Sequence, residues 1–286
     1  SAPARERHLK PIRTRSRMSK IQNPSLPKDK IKFLLLEGIS ETAIRQLEIA
    51  GYPCVERQAK ALEEDALKAA LKDVRLLGIR SRTKMTESVF AATDKLIALG
   101  YFSVGTNQVD LEAAKRKGIP VFNAPFSNTR SVAELTIAEI VMLFRRTFPR
   151  SVGAHESRWE KSAIGSREIR GKTLGIVGYG NIGTQLANLA EAMGMRVIYF
   201  DRSDKLSHGN VEPAATLDEL LEASDVVSLH LPETPETRDM IGAREIGKMK
   251  PGAYLINNAR GTILDVDALA AALKSGHLAG AAVDVF

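Results

Sequence analysis

The chain has 286 residues, 44% of them hydrophobic and 26% charged, a globular composition with enough material for two cores. No apolar run approaches the roughly 18 residues of a membrane span, and no apolar segment follows the basic N-terminus as a secretory signal requires. A single cysteine, Cys54, excludes an internal disulfide and a cysteine-ligated metal site, which fits a reducing, cytoplasmic setting with no metal and no membrane partner.

The net charge of +7 is unevenly spread. Residues 1–29 hold eight Lys or Arg against two acids, Glu6 and Asp29, so this stretch carries almost all of the excess and the remainder is near neutral. With several Pro and Ser and no apolar periodicity, 1–29 reads as a disordered basic tail, and Met18 as a plausible natural start. No aromatic interleaving accompanies the charge, so nucleic acid is not an expected partner.

From Lys30 onward, apolar runs alternate with amphipathic ones. The pattern predicts a strand over 31–36, a helix over 41–50 closed by Gly51, a short strand at 54–57 and a helix over 63–72. A strand at 75–79, a helix capped by Thr86 and running to 95, a strand over 96–104, a helix over 111–117 and a strand at 119–122 follow. A long helix over 131–146, apolar at Val132, Leu135, Ile140, Leu143 and Phe144, leads to a second series. Its strands are predicted at 173–177, 196–200, 225–229, 253–256 and 279–285, with helices at 185–193, 217–223, 243–249 and 266–273. Units of this length imply parallel sheets covered on both faces, hence an α/β chain of two doubly wound domains, 30–126 and 127–286, with a cleft between them.

The segment Thr173-Leu-Gly-Ile-Val-Gly-Tyr-Gly-Asn-Ile-Gly183 runs from an apolar strand into Gly178-x-Gly180-x-x-Gly183 and on into a helical pattern. A second apolar strand ends at Asp201, 18 residues past the last glycine. This is the dinucleotide fingerprint in its full context. Gly178 permits the tight turn, Gly180 lets backbone approach a pyrophosphate, and Gly183 lets helix and strand pack closely. The helix N-terminus offers N–H groups to the phosphates, and Asp201 would accept from the ribose hydroxyls, favouring NAD over its 2′-phosphorylated form.

Further segments carry a resemblance over residues 30–286: Gly78-Ile-Arg-Ser-Arg-Thr83, Val104-Gly-Thr-Asn-Gln-Val-Asp110, Asn123-Ala-Pro-Phe-Ser-Asn-Thr-Arg130, Ser228-Leu-His-Leu-Pro232, Asn257-Asn-Ala-Arg-Gly261 and Ala281-Ala-Val-Asp-Val-Phe286. With them the chain resembles the D-2-hydroxyacid dehydrogenase family, and within it the phosphoglycerate branch. The resemblance implies a flavodoxin-like substrate domain plus a Rossmann cofactor domain, NAD as cofactor, and oxidation of a small phosphorylated 2-hydroxy acid at the entry to serine biosynthesis. It implies Arg260 as the catalytic arginine gripping carboxylate and C2 oxygen, Arg80, Ser81, Arg82 and Asn128 as substrate contacts, and Lys161 as a further one on an arm with Trp159. It carries cofactor roles to Gly178, Gly180, Asn181, Ile182, Gly183, Asp201, Asn258, Ala259 and Asp284. It also implies a homodimer through the cofactor domain, and a tetramer where a regulatory domain is present. The family's histidine base and its glutamate partner lie downstream of Asp284-Val-Phe286, and none of His8, His155, His208, His230 and His277 is assigned that role. Alternatives are a glyoxylate or hydroxypyruvate reductase, for which Arg80 and Arg82 have no use, and a non-catalytic NADH-sensing module.

Overall fold

The computed structural model describes residues 26–286, so the stretch up to residue 25, including Met18, lies outside the described residues. The described end of the expected tail is structured: Lys28–Lys30 forms a 3₁₀ turn, and Lys28 Nζ donates to the Ala50 carbonyl at 2.6 Å while standing over the Tyr52 ring. One compact unit takes in the chain up to Phe102 together with Thr106–Asn123; the other takes Ser103–Gly105 and Ala124–Phe286.

The first unit contains β1 (Phe33–Leu35), α1 (Glu41–Ile49), β2 (Val55–Arg57), α2 (Glu64–Ala70), β3 (Leu76–Ile79), α3 (Glu87–Ala91), β4 (Ala98–Tyr101), α4 (Leu111–Arg116) and β5 (Val121–Asn123). Ser40, Thr86 and Asp110 cap α1, α3 and α4 by accepting backbone N–H groups. All strands pair in parallel in the order β2-β1-β3-β4-β5, the flavodoxin-like order. Only the β1-to-β2 crossover runs one way along the sheet; the next three run the other way. Right-handed crossovers therefore put α1 on one face and α2, α3 and α4 on the other. Leu34, Leu36, Leu77, Ile79, Leu99 and Tyr101 pack with Leu67, Leu71, Phe90 and Ala113 on the three-helix side. The α1 side is not fully covered, contrary to the expectation of two covered faces: Phe33, Leu35, Leu47, Phe102 and Phe122 line an apolar trough of about 380 Å³.

Two elements of this unit are shorter than their patterns. The helix capped by Thr86 ends at Ala91 instead of 95, because the Thr93 hydroxyl turns back to the Phe90 carbonyl and Lys95 pairs with Asp73. The strand expected to reach 104 stops at Tyr101, where its neighbours stop too: Tyr101 pairs with Ile79 on one side and Asn123 on the other.

The second unit opens with α5 (Thr129–Arg145) and α6 (Thr147–His155), separated by Arg146 in the left-handed region (φ 55°). Sequence periodicity does not suggest α6, whose Pro149 falls in the first turn, where its missing N–H costs nothing. Then come β6 (Thr173–Val177), α7 (Asn181–Ala192), β7 (Arg196–Phe200), the two-residue β8 (Glu212–Pro213), α8 (Leu217–Ala223), β9 (Val226–Leu229), α9 (Ala243–Lys248), β10 (Ala253–Asn257), α10 (Val266–Ser275) and β11 (Leu278–Val283). The order β11-β10-β9-β6-β7-β8, all parallel, is the dinucleotide-binding arrangement, with the winding direction reversing between β6 and β9.

Alternation along the strands sorts the core into two layers. Leu174 and Ile176 of β6, Val226 of β9 and Ile256 of β10 pack with Leu186 and Ala190 of α7 and Ile140 and Phe144 of α5. Val177, Val227, Leu229 and Leu255 face Leu220, Ile246 and Leu269 of α8, α9 and α10. No helix among the described residues is long and apolar enough to cross a membrane.

At the centre of β6, Gly175 faces α8, and a Cβ there would overlap the Ser224 hydroxyl and Leu220. Gly175→Ala is expected to lower stability by about 1–3 kcal/mol, read as a shift of the urea midpoint at unchanged m; an unshifted midpoint would mean that this layer is loosely packed.

Candidate functional site

The reversal of winding between β6 and β9 opens a crevice at the carboxyl ends of these strands. A cleft of about 400 Å³ lies there within the second unit, lined by Ser103 to Gly105, Pro125, Asn128, Val132, Gly180 to Ile182, His230 to Pro232 and Asn258 to Arg260. Each fingerprint glycine meets a different demand. Gly178 has φ +97°, and a Cβ there would lie 2.5 Å from the carbonyl oxygen of His230. A Cβ on Gly183 would collide with the carbonyl of Gly178, whereas one on Gly180 would meet nothing within 4 Å, so backbone is open to a ligand there. Helix α7 starts at Asn181 and not, as the periodicity suggests, at Gln185. Asn181, Ile182 and Gly183 are thus its first turn, whose N–H groups have no intrahelical acceptor, and no acid stands in that turn.

Asp201 follows β7 and closes on the same turn. One carboxylate oxygen accepts the Tyr179 N–H at 2.9 Å; the other accepts the Ser203 N–H and hydroxyl at 3.0 and 2.8 Å. Burial alone would raise its pKa, but these bonds and Lys205 outweigh it and hold the carboxyl below its ordinary value, hence ionised.

Arg260 stands on a loop that Asn257 staples from below. Fully buried at the end of β10, Asn257 accepts the Ala259 N–H at 3.1 Å and donates to the Arg260 carbonyl at 3.0 Å. The Arg260 guanidinium donates to the Ala259 carbonyl at 2.7 Å, which leaves most of its five donors for a ligand. A Cβ on Gly261 would overlap the backbone of Phe286, so that glycine lets the last stretch of chain lie against the loop. Asn258 donates to Thr136 at 3.0 Å and Glu139 at 2.7 Å on α5, while its own Oδ1 is covered and without partner. Burial raises the Glu139 pKa; the Asn258 bond opposes the rise and the charge of Asp284 adds to it. Asp284 is exposed beyond β11, its N–H bonded to the Asn257 carbonyl. Glu139 lies outside the sequence motifs, and Asn257, though it opens one of them, receives no role from the resemblance.

The structure brings Gly180, Asn181, Ile182, Asn258, Ala259, Arg260 and Asn128 to this one cleft. Asn128 sits at the N-cap of α5, yet its side chain makes no capping bond and stays available. Lys161 does not join them; it lies in the exposed stretch after α6 with Trp159, which is 83% exposed. Arg80, Ser81 and Arg82 belong to the first unit, where they follow β3 and line a separate cleft of about 190 Å³ with Glu37, Ala59 and Ala61. No cluster of potential metal ligands occurs among the described residues.

Comparison with known proteins places these features. The model of the D-isomer specific 2-hydroxyacid dehydrogenase NAD-binding domain matches residues 137–286, more than half of the chain. D-3-phosphoglycerate dehydrogenase of Escherichia coli K12 is 55% identical over 262 residues, covering 92% of this chain and 64% of its own length. D-3-phosphoglycerate dehydrogenase 1 of Saccharomyces cerevisiae is 47% identical, covering 94% and 58%. Among solved structures, D-lactate dehydrogenase of Aquifex aeolicus complexed with NAD and lactic acid is 32% identical with a TM-score of 0.78, covering 89% of this chain and 77% of that one. The chain thus spans less than two thirds of the length of these curated relatives.

His230 sets an acid limit on the cleft. Its Nε2 lies 2.9 Å from the Ser228 hydroxyl. Part of the residue reaches the cleft, but Nδ1 is covered and unpartnered, and desolvation lowers the pKa from 6.5 to about 4. The unfolded chain therefore takes up a proton near pH 6.5 that the folded chain refuses until about pH 4. The stability this neutral ring contributes is intact above pH 6.5 and falls through that window, by at most roughly 3 kcal/mol. Urea titrations between pH 7 and pH 4 are expected to show a shallower loss in His230→Gln than in wild type; parallel slopes would mean that the ring is hydrated.

Proposed function

This chain belongs to the D-isomer specific 2-hydroxyacid dehydrogenase family, and from that premise we propose that it oxidises D-3-phosphoglycerate to 3-phosphohydroxypyruvate, the entry to L-serine synthesis. Its second unit is the family's NAD-binding domain. The observation that carries the reading is the meeting, in one cleft, of the open fingerprint turn, the Asn258-Ala259 loop and Arg260.

The residues suit NAD on two structural grounds: backbone at Gly180 is open where bulk would block a pyrophosphate, and the buried Asn258 Oδ1 is an acceptor without a donor. The first turn of α7 would hold the pyrophosphate, ionised Asp201 the ribose hydroxyls, and Asn258 with Asp284 the nicotinamide end. NAD, when bound, supplies the hydride acceptor. Arg260 grips the substrate carboxylate and polarises the C2 oxygen with a planar fork, held in place by the Asn257 staple. Arg80 and Arg82 are the cations for the phosphate, with Ser81 and Asn128 as hydrogen-bonding contacts and Lys161 as a contact from the stretch after α6. His230 is held neutral and bonded to Ser228, and we do not assign it as the proton acceptor.

The same proposal places the protein in the cytoplasm and pairs two copies through the NAD-binding unit. Exposed Phe148, Val152, Trp159 and Ile164 and a cleft of about 540 Å³ beside α5 and α6 support the pairing.

NADH consumption with 3-phosphohydroxypyruvate tests the reading. Turnover is expected to exceed that with glyoxylate or phosphate-free hydroxypyruvate. Arg260→Lys is expected to cut kcat/KM by on the order of 10²–10³-fold while leaving NADH affinity unchanged. Equal use of the phosphate-free acids would make the chain a general reductase, and binding of a partner protein only in the presence of NADH would favour the sensing module.

A further inference from the structure

We propose that Glu37 is the positioning residue of the first unit: its carboxylate locks the backbone of the loop carrying Arg80 and Arg82, so that a phosphate meets two guanidiniums borne on a fixed backbone. The inference rests on the reading of Arg80 and Arg82 as phosphate anchors.

Three backbone donors converge on this one side chain. Oε1 accepts the N–H of Arg80 at 3.0 Å and of Thr83 at 2.9 Å, and Oε2 accepts that of Arg82 at 2.9 Å. The bonds cross more than forty residues of sequence, from the end of β1 to the end of β3. Glu37 is only 9% exposed, and burial would raise its pKa; the bonds from Thr83, Arg80 and Arg82 outweigh this and keep it ionised. Its backbone is fixed as well. The Glu37 N–H donates to the Lys60 carbonyl and that of Gly38 to Gln58, and the Arg57 side chain donates to the carbonyls of Gly38 and Ile39.

Glu37 also has φ +58°, a conformation unfavourable for any residue with a Cβ. Glycine there would relieve the backbone and remove the carboxylate, and one buried and two part-buried donors would lose their acceptor. With the Arg80, Arg82 and Thr83 amides engaged by Glu37, an anion in the adjoining cleft is left to the side chains and the Ser81 N–H. Arg80 and Arg82 are exposed there, and neither guanidinium enters an ion pair among the described residues. A loop held this way spares its backbone the ordering cost of binding.

The test is calorimetric titration of 3-phosphoglycerate and of D-glycerate into the NADH-bound protein, a pairing in which both partners are already reduced and nothing turns over. Wild type is expected to prefer the phosphorylated acid. Glu37→Gln, which offers one acceptor and sets an amide N–H against a backbone N–H, is expected to lose about tenfold or more of that preference with D-glycerate affinity unchanged. A wild type without the preference would remove the phosphate reading and the role of Glu37 with it. If Arg80→Ala loses the preference while Glu37→Gln keeps it, or Glu37→Gln weakens both ligands equally, the anchors stand and the positioning role is wrong. Amide exchange of the wild type gives an answer that needs no variant. Arg80, Arg82 and Thr83 are expected to be protected without ligand and to change little with 3-phosphoglycerate; protection that appears only with the ligand would assign these amides to the phosphate and overturn the proposal.

Discussion

The second unit depends on a backbone contact at the reversal of its sheet. Beyond β6 and β9 the two chains approach so closely that a Cβ on residue 178 would sit 2.5 Å from the His230 carbonyl oxygen, while a Cβ on 183 would strike the carbonyl of Gly178. With both methyl groups absent, β6, the turn, α7 and the end of β9 close on one another, and the crevice remains above them. The N-terminus of α7 then points into the crevice at a distance fixed by backbone alone. Side-chain repacking cannot relieve an overlap between a Cβ and a carbonyl, so the geometry of the cleft is set before any side chain enters it.

Side chains finish the site by holding loops from inside. Asn257 spans its loop with one acceptor and one donor, and the Arg260 backbone has little freedom left. Asp201 ties the fingerprint turn to the start of the next loop through Tyr179 and Ser203. Asp225 does the same at the other end of the sheet, accepting the Thr173 N–H at 2.8 Å, and Glu191 of α7 accepts that of Asn210 at 2.9 Å. Each such bond removes a choice from a loop that would otherwise sample several conformations.

What could be read from sequence follows from what is local. Strand positions in both units were legible because buried parallel strands are nearly continuous apolar runs, and α8 matched its pattern at both ends since Thr216 caps it and Leu220 and Leu221 fix its buried face. The fingerprint turn and the loop of Arg260 were legible because each sits at a fixed spacing from a strand end. Several of the misses depend on partners far away in sequence. The ends of β4 are set by β3 and β5 and the part-covered face of the first sheet by the direction of its crossovers, whereas α6 follows the left-handed Arg146 beside it. Glu37 and Asn257 are a different kind of miss. Nothing in Leu-Glu-Gly or Ile-Asn-Asn marks a residue whose partners are backbone amides, because any sequence supplies those.

On the proposed reading, the two units would hold phosphate by opposite uses of the same groups. In the second, the first turn of α7 leaves its N–H groups outward with no acid among them, and anion affinity comes from neutral dipoles held by backbone geometry. In the first, the Arg80, Arg82 and Thr83 amides after β3 are turned inward onto Glu37, and the cleft is lined by Arg80, Ser81 and Arg82. Dipoles of a helix end suit a group that always arrives in one pose against rigid backbone, as a pyrophosphate does. Guanidiniums reach further and add full charges, at the cost of mobility unless something beneath them is rigid. A buried carboxylate under exposed arginines supplies that rigidity, and it also moderates the repulsion between two cations two residues apart. The strained Glu37 and the strain-tolerant Gly178 thus answer one requirement, a fixed platform for phosphate, where only one of the two platforms can be built from backbone alone.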